Sequence, residues 1–405
     1  MTNWREIQLD KILTESREVA KEQKTDKRLT VKLHLQGVHK REERATDNIG
    51  STVYFKRKAG QFIYGKQNLH KGAIGVIPNE LNGYQSTQDV PAFDVSEEVD
   101  INWLYYYFAR PSFYKNLESL ATGTGSKRIH PRELLKLDIL VPPLVVQKKI
   151  SEIISSVDKV IEKTEAIIEK TEKIKQGLMQ QLLTKGIGHT RFKKTEIGEL
   201  PEEWEITLLD NVANRYSGHT PNKKKDEYWN GLIPWISLKD TKRLDKGYII
   251  ETTDYTTLEG IENSSAVLLP KNTVVISRDA TVGKIGIMMK EMATSQHFIN
   301  YVCTEKLHYW YLYYYLIYNK ATFERIATGS TIKTIGLQFF KNLKIALPPV
   351  SEQLAIAEMI TSIDEKIGME RRKLLQVESL KNGLMQSLFT GKIHVKVDEV
   401  EVTQV

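Results

Sequence analysis

A stretch of this chain occurs twice. Residues 121–187, beginning ATGTGSKRI, and residues 327–393, beginning ATGSTIKTI, align without a gap at a shift of 206 positions, with 25 identities in 67. Each copy passes a Pro-Pro pair (Pro142 and Pro143; Pro348 and Pro349), then a glutamine (Gln147; Gln353), then a long helical pattern closing on GLMQ-x-L-x-T. A period near 200 residues is far beyond the about 20 to 50 of a solenoid repeat. The chain is a tandem duplication, so any fold for it is built from two related halves.

A length of 405 residues predicts roughly two to three domains, and 40% hydrophobic residues suffice for ordinary packed cores. The single cysteine, Cys303, excludes an intramolecular disulfide and a thiolate zinc cluster. The N-terminal MTNWREIQLDK has no signal-peptide apolar region, and the longest apolar run, Tyr309 to Tyr318, falls far short of the ~20 residues that span a bilayer. A soluble protein of the reducing cytoplasm, with no membrane partner, is the expectation. The net charge of +7 is unevenly placed: residues 1–143 hold 22 basic and 18 acidic side chains, residues 204–349 hold 18 and 14, and the remainder 18 and 19. A basic excess confined to two segments suits contact with a polyanion.

Both halves open alike, Trp4 preceding Leu9-Asp10 and Trp204 preceding Leu209-Asp210. In the first half TVYFKR, QFIYG and AIGVIP are β-rich runs separated by Gly, Asn and charged clusters; LIPWISL, GYIIET, NTVVISR and KIGIMM do the same in the second. Each half therefore reads as a curled β-sheet with long loops. An aromatic segment follows each sheet (LYYYFARPSFYKNLESLATG; LYYYLIYNKATFERIATG) and predicts a helix ending near the ATG, its tyrosines at core spacing. Thr122 to Lys127 lacks the G-x-x-x-x-G-K-[ST] phosphate-loop spacing, but both copies keep a glycine and a lysine (Gly123, Lys127; Gly329, Lys333), a tight turn able to present a lysine to a DNA phosphate.

Past each Pro-Pro pair, apolar residues recur at alternating spacings of four and three: Ile150, Ile154, Val157, Ile161, Ile168, Leu178 and Leu182, then Ile356, Ile360, Ile363, Ile367, Leu374, Val377, Leu384 and Leu388 in the same register. This is a coiled-coil seam. Thr164, Thr171, Lys175, Glu370 and Lys381 interrupt it, weakening it while fixing one alignment. At ~1.5 Å per residue, Val145 to Leu182 makes a rod of roughly 57 Å, which reads as a spacer. Ser351 is the expected N-cap of the second rod, and Gly186 and Gly391 the expected stops. The resulting division is 1–143, a first sheet domain; 144–184, a central helical region; 185–203, a connector; 204–349, a second sheet domain; 350–391, a C-terminal helical region; and 392–405, a tail.

Taken together, the two PP-x-x-x-Q helix entries, the two GLMQ-x-L-x-T exits, the connector TEIGELPEEWE (Thr195 to Glu205) and the stretch SGHTPNKKKDEYWNGLIPWISLKD (Ser217 to Asp240) resemble the specificity subunit of type I restriction-modification enzymes. The resemblance covers nearly the whole chain, although the first half lacks the YWNG and IPWIS elements of the second. It implies an α+β fold with two tandem target recognition domains, joined by two long helices in an antiparallel coiled coil with a pseudo-two-fold relationship. It also implies a non-catalytic subunit in which each domain reads half of a bipartite double-stranded DNA site. The partners implied are two modification subunits, which carry S-adenosylmethionine and methylate adenine, and restriction subunits, which use ATP and Mg; this chain would bind no cofactor. The sequence contains neither a P-loop nor an N/D-P-P-[FY] methyltransferase motif.

Base reading points to loops where Arg, Gln, Asn, Ser and Thr can face a major groove, since those side chains match the donor and acceptor edges of bases. In the second domain the candidates are Ser217, His219, Thr220 and Lys239 around YWNG-IPWIS, then Arg278, Asp279 and Thr281, then Ser295, Gln296 and His297. Laying GAIG (Gly72 to Gly75) on GKIG (Gly283 to Gly286) sets Gln67 and Asn68 opposite Arg278 and Asp279. The first domain then offers Lys66, Gln67, Asn68 and His70, followed by Ser86, Thr87 and Gln88. Lys127 and Lys333 complete the set, with no catalytic residues and no metal site expected. The competing reading is a structural coiled-coil adaptor without base-specific recognition, which leaves two basic sheet domains unexplained.

Overall fold

The computed structural model describes residues 4–44, 47, 50–123, 127–329 and 333–396. Residues 124–126 of the glycine turn and 397–405 of the tail lie outside them. Four helices organise the chain: α1 (Ile101–Ala109), α2 (Leu144–Lys185), α3 (Tyr309–Tyr318) and α4 (Val350–Leu388). The chain divides into unit 1, residues 1–166 and 371–405, and unit 2, residues 167–370. Each unit thus holds one half's sheet domain, the first part of the long helix that follows it, and the last part of the other long helix.

Unit 1 is built on a four-stranded antiparallel sheet in the order Leu13–Ser16, Ala92–Val95, Phe62–Tyr64, Ile74–Val76. Unit 2 has the same four in the order Ala213–Ser217, Phe298–Cys303, Val274–Ser277, Ile285–Met288, and adds Tyr248–Ile249 parallel to the last. A separate three-stranded sheet in unit 2 centres on Trp229–Ile236. In both sheet domains the opening strand pairs antiparallel with the one that precedes the Pro-Pro pair, Arg5–Gln8 with Asp138–Val141 and Glu205–Leu208 with Lys344–Leu347.

The tyrosine runs are core. Trp103, Tyr106, Tyr107 and Phe108 of α1 pack with Phe62, Tyr64 and Phe93, and Tyr311 to Tyr315 of α3 pack with Val274, Ile276 and Tyr301. Truncating a fully buried ring such as Trp103 or Trp204 to alanine would cost about 3–5 kcal/mol. The aromatic segments do not run on as single helices to the ATG. Pro111 disfavours helical backbone at Arg110, which sits at ψ 125°, and the second segment turns at Asn319 before a short helix, Lys320–Ile326.

Within each unit the long helices pack antiparallel. In unit 1, Ile150 and Ile154 join one core with Met385, Leu388 and Phe389; in unit 2, Met179, Leu182 and Leu183 join Ile356 and Ile360. The predicted seam positions are all buried or half-buried. Thr164 and Thr171 are tolerated there because their hydroxyls donate to the carbonyls of Val160 and Ile167, one turn back. Ser351 is not the cap of α4: it lies inside the first turn, whose free N–H groups at Glu352 and Gln353 donate to Pro349 O. Gly186 and Gly391 follow the helices with φ of +66° and +69°, backbone that favours glycine. The connector carries a hairpin, Phe192–Thr195 with Gly198–Pro201, and leads to Trp204, whose indole Nε1 donates to Glu352 Oε2 at 3.0 Å.

The Pro-Pro-x-x-x-Gln motif has one job in both halves. Gln147, fully buried, donates through Nε2 to Pro142 O and Glu98 O, while its Oε1 accepts from the backbone of Asp100 just before α1. Gln353 repeats this with Pro348 O, Lys306 O and the His308 N–H ahead of α3. A single amide side chain ties each sheet domain to its own long helix.

Candidate nucleic-acid interface

In unit 2 the strand Val274–Ser277 delivers Arg278 to a junction of three loops. Its N–H donates to His297 O (2.9 Å), its carbonyl accepts from Ile335 N (2.8 Å), and its side-chain Nε donates to Ile335 O (3.3 Å). The guanidinium is thereby aimed by backbone on both sides, while its two terminal nitrogens make no hydrogen bond among the described residues. Asp279 Oδ1 lies 2.6 Å from His297 Nδ1, and Ala280 N donates to Lys333 O. Five of the expected residues, Arg278, Asp279, Thr281, His297 and Lys333, therefore share one site. Thr281 and Lys333 are exposed, and Arg278, Asp279 and His297 are half-buried.

The neighbouring loops of unit 2 add a second group. His219 N donates to Thr294 O, Thr220 Oγ1 lies 2.5 Å from Gln296 Oε1, and Trp235 Nε1 donates to His219 O. Gly218 is required here, since a Cβ would come within 2.1 Å of Ser295 O. His219, Gln296 and Ser217 are exposed. Ser295 is not: it is 1% exposed with its hydroxyl enclosed, so it serves the loop's packing and is removed from the contact set. Lys239 stands apart, paired with Asp254 at 3.0 Å on the edge of a polar cleft of about 570 Å³ that Trp229, Trp235 and Tyr255 also line.

In unit 1 the position matching Arg278 is Lys66. Lys66 N donates to Asp89 O and Lys66 O accepts from Ile129 N, both at 2.9 Å, the same two bonds that hold Arg278. The pairing of Gln67 and Asn68 with Arg278 and Asp279 is thus off by one residue. The turn from Lys66 to Gly72 is one residue longer than that from Arg278 to Gly283, so the glycine alignment slips when carried back to the strand. Gln67, Gln88 and Lys127 are exposed near this junction and Thr87 is half-buried. Asn68 spends its backbone on the turn, accepting from Lys71 N and Ala73 N, and His70 has an enclosed Nδ1. Ser86 is 3% exposed, accepting from Arg57 Nε (2.7 Å) and donating to Val90 O (2.7 Å), so it is a structural residue. Sequence reasoning passed over Arg128, whose Nε is 3.4 Å from Asp89 Oδ1. Its signal was its place beside Lys127 in the repeated turn.

Among the described residues no group of His, Cys, Asp and Glu could hold a metal ion, and no helix is long and apolar enough to cross a membrane. The family model for the type I restriction modification DNA specificity domain matches residues 32–173 and 201–379. A putative type I restriction enzyme specificity subunit of Methanocaldococcus jannaschii is 31% identical over 298 residues, covering 73% of this chain and 68% of that protein. Among solved structures, a type I restriction-modification S subunit from M. genitalium matches with a TM-score of 0.57 at 16% identity, covering 98% of this chain and 97% of that one. A chain from a structure of type I R-M complex assembly and conformational transition matches with a TM-score of 0.63, also at 16% identity, over 96% and 98%.

Proposed function

The chain belongs to the family of type I restriction-modification DNA specificity subunits, and from that membership we propose that each unit reads one half of a bipartite DNA site for partner subunits that carry out the chemistry. The observation that carries this reading is the repeated junction: in both units a cationic side chain, Lys66 or Arg278, leaves a sheet strand with its backbone tied to two neighbouring loops. Such fixing suits groove contacts, because a rigid loop loses little conformational freedom on binding. In unit 2, Arg278 with free terminal nitrogens supplies the bidentate geometry that guanine O6 and N7 accept.

The chain binds no cofactor itself. S-adenosylmethionine belongs to two modification subunits that methylate adenine, and ATP and Mg to restriction subunits; the complex works in the cytoplasm. Docking of the modification subunits is supported by Ile167 and Ile174, seven residues apart on α2 within unit 2 and 41% and 52% exposed, a stripe suited to a partner helix. Titration of a labelled cognate duplex, with this chain alone and with modification subunits added, tests the reading. Weak binding alone and tight, sequence-dependent binding by the complex are expected. A complex without sequence preference would favour an adaptor role.

A further inference from the structure

Lys66 is only 9% exposed, and among the described residues its ammonium makes no hydrogen bond or ion pair. The two carboxylates near it are already engaged: Asp89 with Arg128, and Glu15 with Arg17 at 2.7 Å. Burial lowers the ammonium's pKa, and Arg17 and Arg128 lower it further, while Asp89 and Glu15 act the other way. Lys66, Arg17 and Arg128 thus stand against two carboxylates, and Lys127 adjoins Arg128 in sequence. The carboxylates that oppose its charge, Asp89 and Glu15, are each shared with an arginine, Arg128 and Arg17, which leaves the ammonium able to take a further anion.

We propose that Lys66, with Arg128 and Lys127, forms an anion site that takes one backbone phosphate of the bound DNA. The arrangement suits a tetrahedral anion: an ammonium is a compact charge, and a guanidinium beside it donates through a planar fork. Ile129 N binding Lys66 O keeps the loop that carries Lys127 and Arg128 against the strand end. Unit 2 does not repeat the site. Its cation, Arg278, donates to Ile335 O, and Thr334 stands where unit 1 has Arg128. The two matching positions therefore do different work, Lys66 anchoring a phosphate and Arg278 reading a base.

This inference rests on the DNA-reading role above, and its test separates the two. Lys66→Met, which keeps the buried aliphatic stem, and Arg128→Gln are assembled with modification subunits after melting curves verify folding. Binding is measured across a salt series to the cognate duplex and to one scrambled at the first half-site. Each substitution is expected to weaken both duplexes by the same factor and to reduce the slope of log K against log salt by about 0.9. The half-sites selected from random DNA should stay unchanged. An altered preference at one base pair would make Lys66 a base reader, and an unchanged slope would remove the site from DNA; either overturns the proposal. A melting temperature of the free chain that rises with inorganic phosphate, is lost in Lys66→Met, and comes with an unchanged slope would assign the site to free phosphate instead. If the wild-type complex shows no sequence preference, the reading role fails while the salt slope still reports on the phosphate.

Discussion

Lys381 Nζ lies 2.6 Å from Asp158 Oδ1 across the antiparallel helix pair of unit 1, and Asp158 Oδ2 accepts from Tyr106 of α1 at 2.7 Å. Unit 2 repeats the triad with Lys175, Asp364 and Tyr314, at 2.6 and 3.0 Å. The two lysine interruptions of the seam are therefore met: each lysine finds the aspartate of the opposite helix, and the aromatic helix holds that aspartate in place. A helix slip of one turn would strand both charges at part-buried positions, so the triads specify register.

Lys381→Met or Asp158→Asn should each destabilise unit 1 by about 1–2 kcal/mol, less than a fully buried pair because both side chains keep about a quarter of their exposure. A double-mutant cycle by denaturant unfolding measures the coupling, expected to exceed about 0.5 kcal/mol. Additive losses would show that the pair is not coupled.

Gln353→Leu removes one donor group and one acceptor from a fully buried position, leaving His308 N–H, Lys306 O and Pro348 O unsatisfied. At about 1–3 kcal/mol for a buried group left unpaired, a loss of at least about 3 kcal/mol is expected. Hydrogen exchange should show its largest increase at the start of α3.

Arg278→Ala should weaken specific binding by about 1–3 kcal/mol and relax one position of the half-site read by unit 2. A competition assay over duplexes varied at every position checks it. Equal weakening at all sequences would make Arg278 a phosphate contact.

Burial pushes the Cys303 thiol up to about 12. Because the thiolate is the reactive form, alkylation of the folded protein at pH 8 should run roughly a thousand-fold slower than for an unperturbed thiol. Iodoacetamide labelling followed by mass spectrometry reads this directly, with denaturant restoring the ordinary rate.

The duplication, the seam and the Pro-Pro-x-x-x-Gln entries were legible in the sequence because they depend on local spacing and recur 206 residues apart. What Gln147 and Gln353 bind was not legible, since their partners before α1 and α3 lie over 40 residues upstream. The loops were legible only in outline. Ser86 and Ser295 carry the right chemistry for base contacts, yet one is claimed by Arg57 and the other is enclosed. The matching of Lys66 to Arg278 was hidden by a single extra residue in a turn, which shifts a sequence alignment but leaves the strand pairing and its two backbone hydrogen bonds intact.

The central claim is that two like units read two separate half-sites, and selection from a random DNA pool by the chain assembled with modification subunits tests it most directly. Two short conserved blocks separated by an unconserved gap are predicted, and replacing residues 204–349 with the matching segment of a relative should change one block and leave the other. A single contiguous motif, or both blocks changing together on that replacement, would contradict the account.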